Sequence, residues 1–160
     1  MSTARMSRSG WKLVMGDVVT LRDVVSDDIV VFYEHQIDAE ANEMAGFPAR
    51  SWNAFVTHWD RILDDITTFN RTVLVDGEVA GSIASFLQGG EREVGYWLGR
   101  KFWGRGIATA ALRAFLTDES RRPLYAHVAR HNLASRRVLE KCGFALIAEE
   151  PDDFRLALGA

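Results

Sequence analysis

The chain has 160 residues, of which 48% are hydrophobic, 19 are Lys or Arg and 22 are Asp or Glu. This length and composition fit one ordinary globular domain, and the single cysteine, Cys142, excludes a disulfide framework and a cysteine-rich zinc site. No apolar run approaches the ~20 residues that span a bilayer, and residues 1–12 are basic but lack the hydrophobic core of a signal peptide. We therefore expect a flexible tail at 1–12 and one domain at 13–160, in the cytoplasm and without a membrane partner.

The first part of the chain predicts one strand and two helices. Residues 18–21 (VVTL) have the composition of a short strand. The Ser-Asp-Asp sequence at 26–28 combines an N-cap with acidic first-turn residues, so a helix should follow to about residue 37. Residues 39–50 are acidic, and we expect them to be irregular. Ser51 can cap a second helix to about residue 64, because apolar side chains recur there at helical spacing.

Three antiparallel strands are predicted next. Two β-rich runs in residues 71–87 flank Asp76-Gly77, a dipeptide that favours a type I′ turn because both central positions need positive φ. Residues 88–92 form a second turn, and residues 93–98 (EVGYWL) form the third strand. Strands joined by such short turns pair with one another as antiparallel neighbours.

Helices and strands then alternate to the end of the chain. An alanine-rich run at 106–120 predicts a helix with one apolar face. Residues 124–128 form a strand, Asn132 can cap another helix, and two strands around Pro151-Asp152 close the chain. The order β α α β β β α β α β β predicts an α+β fold with a mixed, mostly antiparallel central sheet flanked by helices on both faces.

Charge is distributed unevenly along the chain. Residues 100–141 hold 10 basic and 3 acidic side chains, whereas residues 1–99 hold 8 basic and 15 acidic ones. This contrast predicts an anionic partner for residues 100–141, although a solvated helix face would give the same bias. Nucleic acid is not expected, because the basic block lacks interleaved aromatics and the sequence pI is about 5.8.

The most informative segment is residues 101–109 (KFWGRGIAT), at the start of a predicted helix. A helix N-terminus offers unpaired N–H groups and partial positive charge, and glycines let an anion approach the backbone. A P-loop would require Gly-Lys-Ser/Thr, but Gly106 is followed by Ile107. A dinucleotide-binding loop would need a third glycine where Thr109 stands. A two-glycine turn on a mixed sheet remains, suited to a pyrophosphate.

Two blocks of sequence resemble a known family. GYWLGRKFWGRGIATAAL followed by HNLASRRVLEKCGF is similar to the two signature blocks of the GCN5-related N-acetyltransferases (GNAT). The Trp-Gly-x-Gly and Asn-x-x-Ser elements resemble the branch containing ribosomal-protein N-terminal acetyltransferases. The resemblance covers roughly residues 17–158. It implies the GNAT-like acyl-CoA N-acyltransferase fold, with acetyl-CoA as co-substrate and no metal.

The same resemblance assigns residues to the cofactor. It implies that the backbone of residues 102–108 holds the pyrophosphate and that strand 93–98, splayed from 124–128, holds the pantetheine arm. Asn132 matches the asparagine of the second block, which contacts pantetheine, and it can also be a plain N-cap. The residues expected to bind acetyl-CoA are Tyr96, Trp97, Leu98, Lys101, Phe102, Trp103, Gly104, Arg105, Gly106, Ile107, Ala108, Thr109, Asn132, Ser135 and Arg136.

Catalytic groups are less clearly marked. Glu93 begins the strand where many relatives carry a glutamate that works through water, so it is the first candidate for the general base. The alternative for Glu93 is a surface carboxylate that pairs with Arg92. Glu91, His35 and His127 are further candidates.

The general acid departs from the family pattern. Many relatives place a tyrosine seven residues after Asn132, but this chain has Leu139 there. Ser135, a bound water or no acid at all must then serve. Cys142 is expected to pack in the interior rather than act as a nucleophile.

The acceptor side is predicted from charge. In the fold that the resemblance implies, the segment between the first two predicted helices lines the acceptor cleft, and it contains Asp38, Glu40 and Glu43. These carboxylates would favour a cationic acceptor, such as a peptide N-terminus, a polyamine or an aminoglycoside-like amine. His35, at the end of the first helix, is assigned to the substrate site with Asp38 and Glu40.

The sequence thus predicts an N-acetyltransferase that moves an acetyl group from acetyl-CoA directly to a primary amine. Its acceptor would be a peptide N-terminus or a small cationic amine, and the chain would be a monomer or homodimer. One alternative is a regulatory module that binds acetyl-CoA but is catalytically silent, which Leu139 favours. Another is an oligomeric binder of nucleotide phosphates.

Overall fold

The computed structural model of the chain describes residues 4–6, 13–15 and 17–159. Its strands are β1 (Ala4–Met6), β2 (Leu13–Met15), β3 (Val19–Arg22), β4 (Phe69–Val75), β5 (Glu78–Gln88), β6 (Glu91–Leu98), β7 (Leu124–Ala129), β8 (Ala145–Glu149) and β9 (Asp153–Leu158). Its helices are α1 (Asp28–Gln36), α2 (Ala39–Ala45), α3 (Trp52–Asp64), α4 (Ile107–Asp118) and α5 (Leu133–Lys141), with a short 3-10 helix at Arg100–Phe102.

Seven strands form one mixed sheet in the order β3-β4-β5-β6-β7-β9-β8, and all its neighbours are antiparallel except β6 and β7. The fold class predicted from the sequence is therefore confirmed. The Asp76-Gly77 hairpin is also confirmed: φ is 50° at Asp76 and 83° at Gly77, and Val75 pairs with Glu78.

The two faces of the sheet are covered by different helices. Successive strand residues point to opposite faces, and on β6 Tyr96 contacts Ser135 of α5 while Trp97 lines a pocket with α1 and α3. A large core joins the sheet to α4, whose Leu112 and Phe115 are fully buried. A smaller core joins α1 to α3 through Ile29, Phe32, Phe55 and Trp59.

Residues 39–50 contain a helix that the sequence analysis did not predict. Asp38 accepts a hydrogen bond from the amide of Ala41 at 3.0 Å and caps α2, and Gly46 ends it in the left-handed conformation with φ of 68°. The expectation of an irregular segment was wrong, because α2 is short and its caps outweigh its weak hydrophobic period.

The N-terminal predictions largely lie outside the described residues. Of the tail expected at 1–12, only Ala4–Met6 are described, and they pair antiparallel with Leu13–Met15. The tail and the start of the domain at residue 13 therefore stay predictions. Within the part of the chain that the structure describes, no helix combines the length and apolarity needed to cross a membrane.

Candidate functional site

The main cleft is a cavity of about 430 Å³ between β6, the start of α4, α5 and α2. It brings together most of the residues that the sequence assigned to the cofactor. Its lining residues are Ala41, Met44, Ala45, Tyr96, Trp97, Leu98, Phe102, Trp103, Gly104, Gly106, Ile107, Ala108, Thr109, Asn132, Ala134, Ser135, Arg137, Val138 and Lys141.

The cleft exists because two neighbouring strands separate. β6 and β7 run parallel but pair at one position, Glu93 with Tyr125. Beyond it β6 stays bonded to β5 as far as Leu98, while β7 stays bonded to β9. One edge of β6 over residues 95–98 therefore has no strand partner among the described residues. Its main-chain groups are available to an extended ligand.

A turn of unusual backbone geometry leads from β6 into α4. Gly104 and Gly106 have φ of 71° and 74°, in the left-handed region that other residues adopt at a cost. Gly106 is the N-cap of α4 and has no side chain to bond the first amides of the helix. The amides of Ile107, Ala108 and Thr109 have no acceptor in the described part of the chain. Free amides at the start of a helix, at the mouth of a cleft, are suited to an anion.

Polar side chains of α5 face the cleft from the other side. The side chain of Asn132 accepts a hydrogen bond from the amide of Ser135 at 3.2 Å, so Asn132 is an N-cap and a lining residue together. The hydroxyl oxygens of Ser135 and Tyr96 lie 2.7 Å apart. Burial raises the pKa of Tyr96 to about 12, so its phenol stays protonated at neutral pH.

The basic side chains that reach the cleft differ from those named in the sequence. Arg136 bonds Glu140 at 2.6 Å and lies over the Phe154 ring, outside the cleft lining. Arg137 and Lys141 line the cleft instead. Both belong to the basic block at 100–141. The charge pattern therefore included these two residues in its prediction of an anionic partner, whereas the motif named Arg136 instead.

Lys101 and Arg105 also lie outside the cleft lining. Lys101 pairs with Glu78, and Arg105 pairs with Asp17, with 2.6 Å between Nη2 and the carboxylate. Their side chains therefore hold the outer surface of the turn, while its backbone faces the cleft.

Glu93 lies at the vertex where β6 and β7 begin to separate. It is 6% exposed, and one carboxylate oxygen contacts Nδ1 of His127 on β7. The alternative in which Glu93 pairs with Arg92 was wrong, because Arg92 points to the opposite face of the sheet and donates to the hydroxyl of Ser85 at 3.2 Å. Glu91 pairs with Arg155 at the surface.

Two of the three acidic residues predicted for the acceptor, Asp38 and Glu40, pair with an arginine. Asp38 lies 3.1 Å from the guanidinium of Arg100, and Glu40 pairs with the same group. His35 instead lines a second pocket, of about 160 Å³, on the α1 side of the sheet. Burial lowers the pKa of His35. The lining of the second pocket is Phe32, His35, Gln36, Phe47, Arg50, Phe55, His58, Trp59, Ser82 and Trp97.

Two more positions were discussed from the sequence, Leu139 in place of the family's tyrosine and the single cysteine, and both are packing residues. Leu139 is buried in the large core. Cys142 lies beside α4, where its Sγ is 3.8 Å from the carbonyl oxygen of Thr109, and burial raises the pKa of its thiol. Cys142 is partly buried against the large core, and a thiol held protonated is a weak nucleophile, in agreement with the prediction that it packs rather than reacts.

One group of side chains could hold a cation. His127, Glu150 and Asp153 place one ligand-type atom each within 4.8 Å of the others. His127 and Glu150 are exposed. The same arrangement of a histidine with two carboxylates can also attract an organic ammonium group.

Comparisons with known proteins identify the family and the fold. The family model described as an acetyltransferase (GNAT) domain matches residues 19–145. A curated protein of Bacillus subtilis (strain 168), the "Putative ribosomal N-acetyltransferase YdaF", is 32% identical over an alignment of 98 residues that covers 56% of this chain. The match covers 52% of that protein, so this chain spans about half the length of its curated relative.

Solved structures share the fold at low sequence identity. Aminoglycoside acetyltransferase AAC(6')-Ib in complex with coenzyme A has a TM-score of 0.76 and 18% identity, covering 89% of this chain and 95% of that chain. Spermidine N-acetyltransferase from Vibrio cholerae, with CoA and spermine, has a TM-score of 0.74 and 16% identity, covering 88% and 94%. The predicted GNAT-like fold is confirmed.

Proposed function

Since the chain belongs to the GNAT family of acetyltransferases, with acetyl-CoA as co-substrate, we propose that it moves the acetyl group directly to the primary amine of a peptide N-terminus or of a small cationic amine. Both acceptor classes have support among relatives. The curated relative is described as ribosomal, whereas similar structures are described as acting on aminoglycosides and spermidine.

One observation carries the proposal: the gap between β6 and β7 leads directly to the free amides at the start of α4. A pyrophosphate on Ile107, Ala108 and Thr109 would receive backbone hydrogen bonds and the helix dipole. Arg137 and Lys141 add positive charge along the same cleft. An extended arm from that pyrophosphate would pass along the open edge of β6 towards Glu93, where the strands meet.

The acceptor must first lose a proton, because an ammonium group has no lone pair and its ordinary pKa is ~10. Glu93 and His127 lie together at the vertex and can take this proton through a water molecule. The carboxylates of Glu150 and Asp153, close to His127, attract the ammonium to the same place. Glu93 and Trp97 lie on the same face of β6, and the residue between them on that face is Gly95. Gly95 has no side chain to block the approach of the acceptor amine.

Transfer then needs stabilisation of two developing charges. The amine nitrogen bonds to the thioester carbon, and main-chain N–H groups on the open edge of β6 stabilise the negative charge on its oxygen. As the intermediate collapses, the carbon–sulfur bond breaks and the nitrogen gives up its second proton. The Ser135 hydroxyl, held by Tyr96, donates a hydrogen bond to the departing thiolate. Solvent supplies its proton.

The alternative is a regulatory module that binds acetyl-CoA without turnover. Leu139 favours it, because the position of the family's tyrosine is filled by a side chain packed in the core. The two functions differ in one measurable property, which is thiol release.

The experiment is a thermal-shift titration with acetyl-CoA, followed by measurement of free thiol with a panel of peptide N-termini, a polyamine and an aminoglycoside. We expect stabilisation by acetyl-CoA and acceptor-dependent thiol release from at least one acceptor class. Stabilisation without release across the panel would favour the regulatory module. Absence of stabilisation, or equal stabilisation by ATP, would overturn the acetyl-CoA site.

A further inference from the structure

The second pocket borders the main cleft but belongs to the opposite face of the sheet. Trp97 lines both cavities. The other walls of the second pocket come from the end of α1, the loop after α2, α3, and Ser82 of β5. A group bound in this pocket is therefore separated from an acetyl donor in the main cleft by the strand and ring of Trp97. The inference that follows rests on the proposed function and concerns which amine is acetylated.

The floor of the pocket carries polar atoms without partners. Gln36 is 5% exposed, and neither its Nε2 nor its Oε1 has a hydrogen-bond partner within the described residues. Nδ1 of the adjacent His35 is likewise buried without one. An unsatisfied buried polar group destabilises the fold, so such groups in native proteins usually meet a ligand or an ordered water. A ligand that fits Gln36 must offer an acceptor and a donor side by side.

The charge around the pocket disfavours a cation. Among the described residues, those that line it include Arg50 and no Asp or Glu. Burial lowers the pKa of His35, and burial together with Arg50 and Arg61 lowers that of His58, so both imidazoles are neutral at pH 7. The nearby carboxylates of Asp38 and Glu40 are paired with Arg100. Glu34 acts on His35 from outside the lining, so a polyamine chain would meet no carboxylate on the described walls of the pocket itself.

Size and shape narrow the ligand further. The pocket holds about 160 Å³, and a protein cavity of about 150 Å³ accommodates benzene. Its aromatic walls, which include Trp59 and Trp97, suit a flat group. We propose that the second pocket binds an uncharged planar amide group of the acceptor, with the amide of Gln36 pairing to it. This selects a peptide-like amine over a polyamine or an aminoglycoside.

Two acceptors of matched size test the proposal. 4-(Aminomethyl)benzamide and 1,4-bis(aminomethyl)benzene share the reacting aminomethyl group and the ring, and differ by an amide against a second ammonium. We expect kcat/KM for the amide to exceed that for the diamine by about tenfold, which corresponds to about 1.4 kcal/mol of additional binding from the hydrogen bonds to Gln36. A preference for the diamine, or equal rates, would overturn the proposal.

Variants of Gln36 show whether that residue makes the distinction. Gln36→Leu should lower kcat/KM for the amide about tenfold, leave the diamine unchanged and keep Tm at or above wild type, because it removes unpaired buried polar atoms. Gln36→Glu should shift preference towards the diamine. Gln88→Leu, an exposed glutamine at the end of β5, is the matched control. An amide preference that survives Gln36→Leu would overturn the assignment of Gln36.

Failure of the enzyme and failure of the pocket remain distinguishable. If neither amine releases thiol, binding of 4-(aminomethyl)benzamide is measured directly by ligand-observed NMR. Binding that is lost in Gln36→Leu and kept in Gln88→Leu would support the pocket while transfer fails. No binding to the wild-type protein would overturn the pocket. If a polyamine is the only acceptor that gives thiol release, the acetyltransferase activity is supported, but the proposed role of the second pocket in selecting the acceptor is overturned.

Discussion

Two glutamates are buried against the central sheet, and their surroundings differ. Glu119, 2% exposed at the end of α4, accepts hydrogen bonds from the amide of Arg121 at 3.0 Å and from its Nε and Nη2 at 2.9 and 2.7 Å. The Ser85 hydroxyl donates to it as well. Glu93, 6% exposed, has one side-chain partner among the described residues, the imidazole of His127.

The contrast separates a structural carboxylate from the one that we propose as the general base. Burial alone would raise the pKa of Glu119, but the hydrogen bonds from Arg121 and Ser85 outweigh it and lower that pKa to about 2. Its oxygens are occupied, so Glu119 fastens α4 to β5 and cannot exchange a proton near neutral pH. Glu93 contacts a partly exposed histidine at the opening of the sheet, and it keeps capacity for another donor.

The largest expected effect is on turnover when Glu93 is changed. Glu93→Gln keeps the shape but removes the base, so kcat should fall by about 100- to 10,000-fold. Acetyl-CoA affinity and Tm should stay near wild type, because Glu93 is not among the residues lining the main cleft and the amide can still bond His127. Steady-state thiol release and a thermal-shift titration measure the three quantities. Glu91→Gln, an exposed neighbour paired with Arg155, is the control and should keep its kcat. Unchanged kcat in Glu93→Gln would remove Glu93 from the reaction.

The same contrast between satisfied and available groups applies to the backbone. Glu119 lies at the C-terminal end of α4, and the free amides lie at its N-terminal end. Gly106→Ala should weaken acetyl-CoA binding by about ten- to a hundredfold, since charge-assisted hydrogen bonds contribute roughly 1.5–3 kcal/mol. Its matched control is Gly90→Ala, in the turn between β5 and β6. Both glycines have positive φ, 74° and 81°, and open space where a Cβ would lie.

Both alanine variants should therefore lose similar stability, about 1–2 kcal/mol for a left-handed non-glycine residue. Isothermal titration with acetyl-CoA separates two causes of weaker binding. Backbone strain would act in both variants, whereas lost contact with the cofactor would act in Gly106→Ala alone. Equal affinity in the two variants would mean that the amides at the start of α4 do not hold the cofactor.

The sequence predicted much of this arrangement and missed part of it for identifiable reasons. The turn at Gly104 and Gly106 and the cap at Asn132 are local features, set by backbone conformation and by residues a few positions apart. The partner of Glu93 is not local, because His127 is 34 positions away and meets it through strand order. The sequence therefore offered Arg92, its neighbour, which points to the opposite face.

The distinction between local and distant partners also explains the outcome for the acidic residues predicted to bind the acceptor. Asp38 and Glu40 were expected to attract a cation, but Arg100 reaches them from the end of β6. The role of Glu119 was missed as well, since its partner Ser85 lies on a different element. Pairings across the sheet decide which charges remain free, and a single sequence does not contain them.

The next effect is on stability and involves Glu119. Glu119→Gln should lower the free energy of unfolding by roughly 2 kcal/mol at pH 7 and leave kcat unchanged. Because its folded pKa is lowered from 4.5 to about 2, the carboxylate stabilises the fold above pH ~4.5, and this contribution is lost as pH falls towards 2. The stability difference between variant and wild type should therefore shrink across that range.

Urea unfolding at several pH values measures the Glu119 contribution. Glu149→Gln, an exposed residue 4.0 Å from Arg130, is the control and should change stability by less than about 0.5 kcal/mol. A difference that stays constant from pH 7 to pH 3 would show that the Glu119 carboxylate is not the source of the stabilisation.

The smallest expected effect is on kcat and involves a pair of polar side chains, Tyr96 and Ser135. Their surroundings are intermediate between those of Glu119 and Glu93. Tyr96 and Ser135 share one hydrogen bond of 2.7 Å at the cleft, and neither is ionised. Tyr96→Phe should lower kcat about three- to tenfold, because Ser135 keeps its hydroxyl but loses its orientation. Ser135→Ala should cost a similar factor, and the double variant should cost no more than either alone. Tyr125→Phe, beneath Arg155 on the opposite face, should be neutral. Additive losses would mean that the two hydroxyls act separately, and the thiolate would then be stabilised by Ser135 without help from the phenol.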